Sequence, residues 1–341
     1  MTRDAKIDEF LARLGFARAR RSPLAQDASF RRYLRLTDSP APAVLMDAPP
    51  PEDVRPFVRI ARHLAGIGLS VPVVMGVDEA NGLLLEEDLG DDLISGYLDA
   101  PRSGPATPET DAHLHALFDG AVDALVAMQR SAPPPDLPPW DAAAMTQTAV
   151  GNLIDWWWPA AMGRPAPEAA KTDFTTALTT MLEPLPKGPL GFVHRDYFAG
   201  NLLHLPTRPG IRAIGIIDFQ SAAIGHPAYD LVSLLQDARR DIPPSIEARA
   251  LTRYLNARPE LEPGAFRAGY AACAAQRHLR VACQWVRLAK RDNRPHYLVH
   301  GPRTWRLLTA ALTQPQAKPL MQAFDRWIPM DLRRNPPGFA A

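Results

Sequence analysis

Three oxygen-bearing side chains in the middle of the chain have the spacing that phosphoryl transfer requires. Asp196 ends the tripeptide His194-Arg195-Asp196, and Asn201 follows five residues later. Asp218 begins the tripeptide Asp-Phe-Gln. Asp196 can accept the proton of an attacking hydroxyl, while Asn201 and Asp218 offer the oxygen ligands that Mg²⁺ prefers. The spacing therefore predicts a base and a metal-binding pair.

A β-hairpin signal separates Asn201 from Asp218. Two apolar runs, 202–205 and 211–217, flank a segment rich in Pro and Gly, which predicts an antiparallel hairpin. In that pairing Asn201 and Asp218 lie opposite each other at the open end, and Asp196 comes just before the first strand. The alternative is an ordinary hairpin flanked by surface acids. The combined spacing favours a site.

Composition is typical of a soluble enzyme. The 341 residues can bury a large core and suggest about two domains. A net charge of +1 provides no strong field for nucleic acid or an anionic membrane. Because the sequence has no run of about 18 apolar residues and its first residues lack the apolar core of a signal peptide, we expect neither a membrane span nor a signal peptide. Cys273 and Cys283 are ten residues apart in one helical pattern, which favours reduced thiols in a cytoplasmic protein.

Hydrophobic periodicity predicts an α+β fold with a small, β-rich amino-terminal lobe. An amphipathic helix begins the chain, with Ile7, Phe10, Leu11 and Leu14 on one face. Four strand-like runs follow, at 30–36, 43–47, 69–78 and 82–89, with one helical run between them at 53–66. Helical patterns dominate from residue 90 onward, most clearly over 112–130. We expect a nucleotide-binding lobe over 1–88 and a catalytic, substrate-binding lobe over 89–341.

The chain resembles the aminoglycoside phosphotransferase-like kinases, relatives of protein kinases that phosphorylate small molecules. The segment 192–230, which contains both motifs, identifies this superfamily. The segments 26–36 and 277–308 are similar to the branch of bacterial kinases that phosphorylate N-acetylmuramate and N-acetylglucosamine at the anomeric carbon in cell-wall recycling. The resemblance covers nearly the whole chain.

This resemblance implies a bilobal protein-kinase-like fold that uses ATP and Mg²⁺. It assigns Asp196 as the base and places the adenine edge against backbone groups near Glu86 and Asp88, with Leu203 below the ring. The side chains of Glu86 and Asp88 themselves are expected to be solvated. His194 is expected to brace the catalytic loop. Asp230 is expected either to anchor that loop by hydrogen bonds or to cap a helix.

The amino-terminal lobe departs from protein kinases at the phosphate-binding elements. Neither type of Gly-rich phosphate loop is present. The strand that should bear a lysine, 44–47, has none, and the helix that follows has no interior Glu. An arginine is a good bidentate partner for phosphate. Four residues occupy the place of the loop and are our candidates for nucleotide binding, or else are surface residues on an edge strand: Ser29, Phe30, Arg31 and Arg32.

A stripe of basic residues near the carboxyl terminus bears on substrate choice. Its members, spaced by three and four residues on one helix face, are Arg277, Arg280, Gln284, Arg287 and Arg291. The segment from 277 to 306 contains eight Lys and Arg residues and only one acidic residue, Asp292. The stripe suits an anionic substrate such as a sugar with a lactyl carboxylate, bound by Arg280 and Arg287. A solvated helix face is the alternative. The run Trp156–Trp158 is expected to pack in the core rather than stack on sugar.

The sequence therefore predicts an ATP-dependent sugar kinase that binds a small sugar and ATP, with no nucleic-acid or membrane partner. A kinase for another small alcohol, of the aminoglycoside, choline or homoserine type, is one alternative. A catalytically dead nucleotide-binding regulator is another, which the missing lysine keeps open. The preferred sugar, the anomer, the choice between ATP and GTP and the oligomeric state are left open.

Overall fold

The structure is a computed structural model, and it describes residues 1–24, 31–100, 108–185 and 188–336. The chain forms two compact units. Unit 1 comprises Met1–Tyr97, Arg102–Met128 and Ala199–Ser221, and unit 2 comprises Leu98–Pro101, Gln129–Phe198 and Ala222–Ala341. The expected lobes, 1–88 and 89–341, concern function rather than compactness, and their boundary stays a prediction.

Unit 1 contains a five-stranded antiparallel sheet with the strand order β1-β2-β3-β5-β4. Its strands are β1 Arg20–Pro23, β2 Arg32–Thr37, β3 Ala43–Asp47, β4 Val74–Asp78 and β5 Leu83–Glu87. The sequence signal for β1 is missing because Arg20–Pro23 has no apolar alternation, and pairing with β2 alone makes it a strand.

Three helices of unit 1 are α1 Arg3–Arg13, α2 Arg55–Gly66 and α4 Pro108–Arg130. The Oγ1 atom of Thr2 accepts a hydrogen bond from the backbone N–H of Ala5 and so caps α1. The apolar face of α1 packs on one face of the sheet, where it forms a cluster that includes Phe10, Leu45 and Leu85. This packing leaves the opposite face of the sheet available for a cavity.

The predicted hairpin also belongs to unit 1. Its strands, β8 Leu202–His204 and β9 Ile214–Ile216, are antiparallel, with Leu202 opposite Ile216. They are shorter than predicted because a 3₁₀ turn over Gly210–Ala213 takes up the residues after the Pro-rich segment.

Unit 2 is mainly helical. Its helices are α3 Ile94–Asp99, which enters the unit at Leu98, and α5 Ala142–Gly151, α6 Trp158–Met162, α7 Glu168–Leu182, α8 Ala228–Leu235, α9 Pro244–Ala257, α10 Pro263–Arg291, α11 Gly301–Leu312 and α12 Lys318–Trp327. A π-helix over Asn152–Trp157 joins α5 to α6 and packs against α10. A small sheet orders its strands as β6 Pro139–Trp140, β10 Ala223–Gly225 and β7 Gly191–Val193.

The helix α10 is the longest helix of the described chain, at 29 residues. The carboxylate of Glu262 accepts hydrogen bonds from the backbone N–H groups of Gly264 and Ala265 and caps its first turn. Both cysteines lie on α10 as buried free thiols, so the predicted absence of a disulfide between them is confirmed. Within the described ranges, no helix is both long enough and apolar enough to cross a membrane.

Candidate active site

Asp230 ties the loop that contains Asp196 to the first turn of α8. One carboxylate oxygen of Asp230 accepts a hydrogen bond from the backbone N–H of His194 at 2.7 Å, and the other accepts from Arg195 at 2.9 Å. His194 Nδ1 lies 3.3 Å from the backbone nitrogen of Asp196 and accepts its hydrogen bond. Pro227 precedes α8, so the alternative that Asp230 is the helix N-cap is wrong. Three consecutive backbone amides are thereby held.

Arg195 adopts a backbone conformation that arginine rarely takes. Its φ angle is +76°, in the left-handed region. The other non-glycine residues with positive φ in the described chain are Asp or Asn, which tolerate this region better. The hydrogen bond to Asp230 and the position of the guanidinium, 4.0 Å above the ring of Trp140, hold Arg195 there. Backbone strain of this kind is concentrated at functional sites.

Asn201 and Asp218 meet at the open end of the hairpin, as the strand register requires. The Asn201 side-chain amide donates to one carboxylate oxygen of Asp218 at 3.3 Å, and Gln220 donates to the other at 2.6 Å. The motif spacing does not predict a role for Gln220, although Gln220 lies only two residues after Asp218. Phe219 is buried, with its ring centroid 4.7 Å from that of Phe57 on α2, and anchors the segment.

The donor chemistry of this pair fits Mg²⁺. The described residues contain no cluster of three His, Cys, Asp or Glu side chains that could hold a metal ion. Mg²⁺ does not need one, because it usually keeps several water molecules and binds one or two protein oxygens together with substrate phosphates. Asn201 and Asp218 would supply such oxygens.

A cavity of about 330 Å³ lies within unit 1 beside this pair. Its walls combine apolar side chains with the polar pair and include Val44, Phe57, Glu86, Leu203, Asn201 and Asp218. Arg31 and Asp88 also line it, whereas Arg32 pairs with the buried Asp47 and does not. Ser29 and Phe30 lie outside the described residues. The cavity thus brings together most of the residues predicted to bind nucleotide.

The expectation that Glu86 and Asp88 are solvated is wrong. Glu86 is only 5% exposed, because its position on β5 directs it into the cavity. Burial, helped by the negative charge of Asp88, raises the pKa of Glu86 to about 8. Asp88 binds the guanidinium of Arg35 at 2.6 Å, and Arg35 also binds Asp91. Glu86 is therefore a neutral, buried carboxyl group at pH 7.

The basic stripe of α10 is mostly buried, so the solvated-face alternative is wrong for most of it. Arg277 is 4% exposed, and Arg280, Gln284 and Arg287 are half-buried. Arg291 is exposed and pairs with Asp292 at 2.8 Å. Burial would be unfavourable for these cations unless polar groups surrounded them.

Amide and carbonyl oxygens surround the buried arginines. Arg280 donates to the side-chain oxygen of Gln284 at 3.0 Å. Arg287 donates to the side-chain oxygen of Asn152 at 3.3 Å, and the Asn152 amide donates to the carbonyl of Arg280 at 3.0 Å. Asn152 begins the π-helix and thereby orients the stripe.

Electrostatic interactions link Arg280 to Asp196 within unit 2. Burial disfavours the charge of Arg280, but Tyr229 and Asp196 outweigh it and raise the pKa of Arg280 overall. Tyr229 is fully buried, and no motif of the sequence predicts its role. Unit 2 therefore contains a half-buried cation, Arg280, on which the charge of the predicted base acts.

Comparison with known proteins decides the family. A profile of the phosphotransferase enzyme family (APH) matches residues 20–265. The chain belongs to this family. It is 35% identical to the N-acetylmuramate/N-acetylglucosamine kinase of Caulobacter vibrioides, over 97% of this chain and 98% of the relative. It is 34% identical to the protein of the same name from Pseudomonas aeruginosa, over 86% and 83%. The predicted family is confirmed.

Solved structures of APH-type kinases share the fold. A choline/ethanolamine kinase family protein from Mesorhizobium loti has a TM-score of 0.59 at 16% identity, covering 94% of this chain and 99% of that one. The ADP-bound aminoglycoside phosphotransferase APH(2'')-Ib has a TM-score of 0.57 at 17% identity, covering 93% and 99%. At these identities the likeness shows the fold alone, and it confirms the predicted α+β protein-kinase-like class.

Two further features of this APH-family chain concern the tryptophans and a histidine. Trp157 and Trp158 are buried and Trp156 is half-buried, which confirms the expectation of core packing for the first two. The Trp157 indole donates to the carbonyl of Arg334 at 3.0 Å. His278 on α10 is fully buried, and burial lowers its pKa to about 3.

Proposed function

We propose that the chain is an ATP-dependent kinase that phosphorylates the anomeric hydroxyl of N-acetylmuramate and N-acetylglucosamine in peptidoglycan recycling. The observation that supports it best is that unit 2 contains both the anchored loop of Asp196 and the half-buried arginines Arg280 and Arg287 of α10. A substrate that carries both an acidic group and a reactive hydroxyl fits a base and a cation in one unit. The names of the relatives agree with this chemistry.

Asp196 is the proposed base. The sugar hydroxyl oxygen attacks the γ-phosphorus of ATP, its proton passes to the Asp196 carboxylate, and ADP leaves. Asp230 accepts hydrogen bonds from the backbone N–H groups of His194 and Arg195, and His194 Nδ1 accepts one from that of Asp196, which fixes the backbone at the base. Mg²⁺ bound by Asn201 and Asp218 would neutralise phosphate charge.

Arg280 and Arg287 are the proposed contacts to the substrate carboxylate. N-acetylmuramate differs from N-acetylglucosamine by a lactyl group that bears this carboxylate. A guanidinium binds a carboxylate through two parallel hydrogen bonds, and such charge-assisted bonds are roughly twice as strong as neutral ones. We therefore expect the stripe to favour the acidic sugar without excluding the neutral one.

The cavity of unit 1 is the proposed nucleotide site. Glu86, Asp88 and Leu203 would contact the base, and Arg31 lies on the same wall. Because ATP and cell-wall sugars for recycling are found inside the cell, we propose a cytoplasmic location. No feature of the described surface leads us to propose a nucleic-acid or membrane partner.

Two alternatives make different predictions. A kinase for a cationic aminoglycoside or choline would need acids where α10 presents arginines. A catalytically dead regulator would bind nucleotide in the cavity but would not consume it. Turnover of ATP with a defined acceptor separates all three possibilities.

The test is ATP consumption with a panel of acceptors, followed by phosphorus NMR of the product. We expect N-acetylmuramate and N-acetylglucosamine to be turned over and the phosphate to reside on the anomeric carbon. N-acetylglucosaminitol, which has no anomeric carbon, is the matched control compound and should not be phosphorylated. Phosphorylation of that alditol, or faster turnover of kanamycin or choline, would contradict the proposal.

A further inference from the structure

Alternate residues at the start of β2 face the proposed nucleotide site. Arg31, Tyr33 and Arg35 all line the cavity of unit 1, as side chains two residues apart on an extended chain should. Arg32 faces the other way and pairs with Asp47, which also pairs with Arg3 of α1. The two neighbouring arginines thus have separate surroundings.

Arg31 and Arg35 mark opposite ends of the cavity wall. Arg35 is held by Asp88 and Asp91, next to the residues proposed to contact the nucleobase. Arg31 is near Tyr33, whose pKa is raised first by burial and also by the charges of Glu86 and Asp218. Four residues of extended chain span roughly 13 Å. The wall therefore runs from Asp88 toward the metal-binding pair.

Acidic side chains outnumber arginines on the cavity wall. Five line it, namely Glu86, Glu87, Asp88, Asp91 and Asp218, of which Glu86 has a raised pKa and Glu87 pairs with Arg208. Among the described residues that line the cavity, Arg31 and Arg35 are the only cations. Because Arg35 binds Asp88 and Asp91, Arg31 is the cavity-lining arginine that lies apart from that pair of acids.

Glu52 holds Arg31 without using all of its donors. Arg31 Nε donates to the Glu52 carboxylate at 2.9 Å, with side chains 12% and 22% exposed. Glu52 lies three residues before the start of α2. A guanidinium has five N–H donors, and those on its terminal nitrogens are suited to bidentate phosphate binding.

We propose that Arg31, positioned by Glu52, is the phosphate-binding cation of this enzyme and replaces the lysine that β3 lacks. In protein kinases a lysine on the third strand pairs with a helix glutamate and contacts the phosphates. Here the same pairing of cation and carboxylate is built from the residue just before β2 and the segment before α2. The assignment rests on the proposed nucleotide site.

Calorimetric titration of the full chain with ADP and with adenosine, in Mg²⁺ and without sugar, tests the assignment. Arg31→Ala should weaken ADP binding about ten- to a hundredfold and adenosine binding less than about threefold, because only ADP has phosphates to lose a charge-assisted bond. Arg31→Lys should retain part of the ADP affinity, since it keeps the charge but not the fork. Glu52→Gln should weaken ADP binding by a smaller factor than Arg31→Ala and leave adenosine unchanged.

Arg35→Ala is the matched control, because it removes an arginine from the same face of the same strand. It should change ADP and adenosine affinity by the same factor. If Arg31→Ala does not fold, Arg31→Lys and Glu52→Gln decide through the same ratio of ADP to adenosine affinity. Equal losses for the two ligands, or no loss, would overturn the role of Arg31. A wild-type chain that binds neither ligand would overturn the proposed function itself.

Discussion

The two polar regions of the molecule hold their arginines in opposite ways. In the cavity of unit 1, Arg31 pairs with Glu52 and Arg35 pairs with Asp88. In unit 2, Arg277, Arg280 and Arg287 have amide and carbonyl partners, and no acid of the described chain lies within ion-pair distance of them. In the cavity the partners of the arginines are carboxylates, whereas in unit 2 they are neutral amide and carbonyl oxygens.

This difference indicates that the arginines of unit 2 are the ones suited to binding a substrate carboxylate. A buried charge without a counterion is unfavourable by several kcal/mol, so it persists where another group compensates it. Burial lowers the pKa of Arg277 and of Arg287, whereas at Arg280 the effects of Tyr229 and Asp196 outweigh burial and raise the pKa. A substrate carboxylate would supply the missing partner. In the nucleotide region the phosphates would instead meet Arg31 and the metal ion that Asn201 and Asp218 would hold.

The largest expected effect separates catalysis from nucleotide binding. Asp196→Ala should lower kcat by about 10²–10⁴, the usual scale for a positioned base, and should leave ADP affinity nearly unchanged because the cavity belongs to unit 1. Asp218→Ala should lose both turnover and Mg²⁺-dependent ADP binding. Steady-state kinetics and calorimetry on both variants check this. Near-normal turnover by folded Asp196→Ala protein would remove Asp196 from the base role.

The buried acid of unit 1 should lower stability at neutral pH. The folded chain keeps the proton of Glu86 up to a pKa of about 8, whereas the unfolded chain releases it near the ordinary value of 4.5. Its contribution is thus fully present below pH 4.5 and is lost as pH rises to about 8. Glu86→Gln should raise the free energy of unfolding by up to about 3 kcal/mol at pH 7 and by little at pH 4.5.

Urea unfolding of Glu86→Gln at several pH values measures this gain. Asp88→Asn is the control, because Asp88 binds the guanidinium of Arg35 and its loss should not stabilise the chain. A gain that does not vary with pH would show that Glu86 is ionised in the folded state.

Arg280 and Arg287, whose hydrogen-bond partners are neutral amide oxygens, should determine selectivity between the two sugars. Arg280→Ala or Arg287→Ala should lower kcat/KM for N-acetylmuramate about ten- to a hundredfold more than for N-acetylglucosamine. Lysine at either position should restore the difference only in part. Arg291→Ala is the matched control, since Arg291 is exposed and paired with Asp292. Equal losses on both sugars would point to a structural or phosphate-facing role.

The smallest expected effect is on acid stability. His278 has a folded pKa of about 3 against an ordinary 6.5, so its neutral form stabilises the fold above pH 6.5 and this contribution is lost as pH falls toward 3. At pH 5 the loss is about 2 kcal/mol. His278→Gln should flatten the stability profile between pH 6.5 and 5. Parallel profiles for the two proteins would contradict this origin.

Local sequence patterns were sufficient to predict the hairpin and most strands of the five-stranded sheet of unit 1. Turn-forming residues, apolar runs and the Asp-x4-Asn spacing predict a juxtaposition that the 3.3 Å contact of Asn201 with Asp218 reproduces. Periodicity also predicts α1 and the stripe on α10, because each face repeats at helical spacing. These features depend on neighbours close in the chain.

Features set by distant contacts could not be predicted in this way. The burial of Glu86 follows from the direction of its side chain on β5, which a charged residue next to other charged residues does not reveal. Tyr229 and Asn152 are hydrogen-bonding side chains in otherwise apolar helices, and only the packing against α10 makes them neighbours of the arginines. The different partners of Arg31 and Arg32 likewise depend on which face of the sheet each side chain occupies.

The two thiols of α10 can report on local unfolding of that helix. Burial raises the pKa of Cys273, and only a thiolate reacts rapidly with an alkylating reagent, so modification must await local unfolding of the helix. Cys273 and Cys283 are about 15 Å apart along α10 and lie on either side of Arg280 along the chain. The rate of alkylation therefore measures how often the segment proposed to bind the sugar unfolds locally, and a bound sugar should lower that rate.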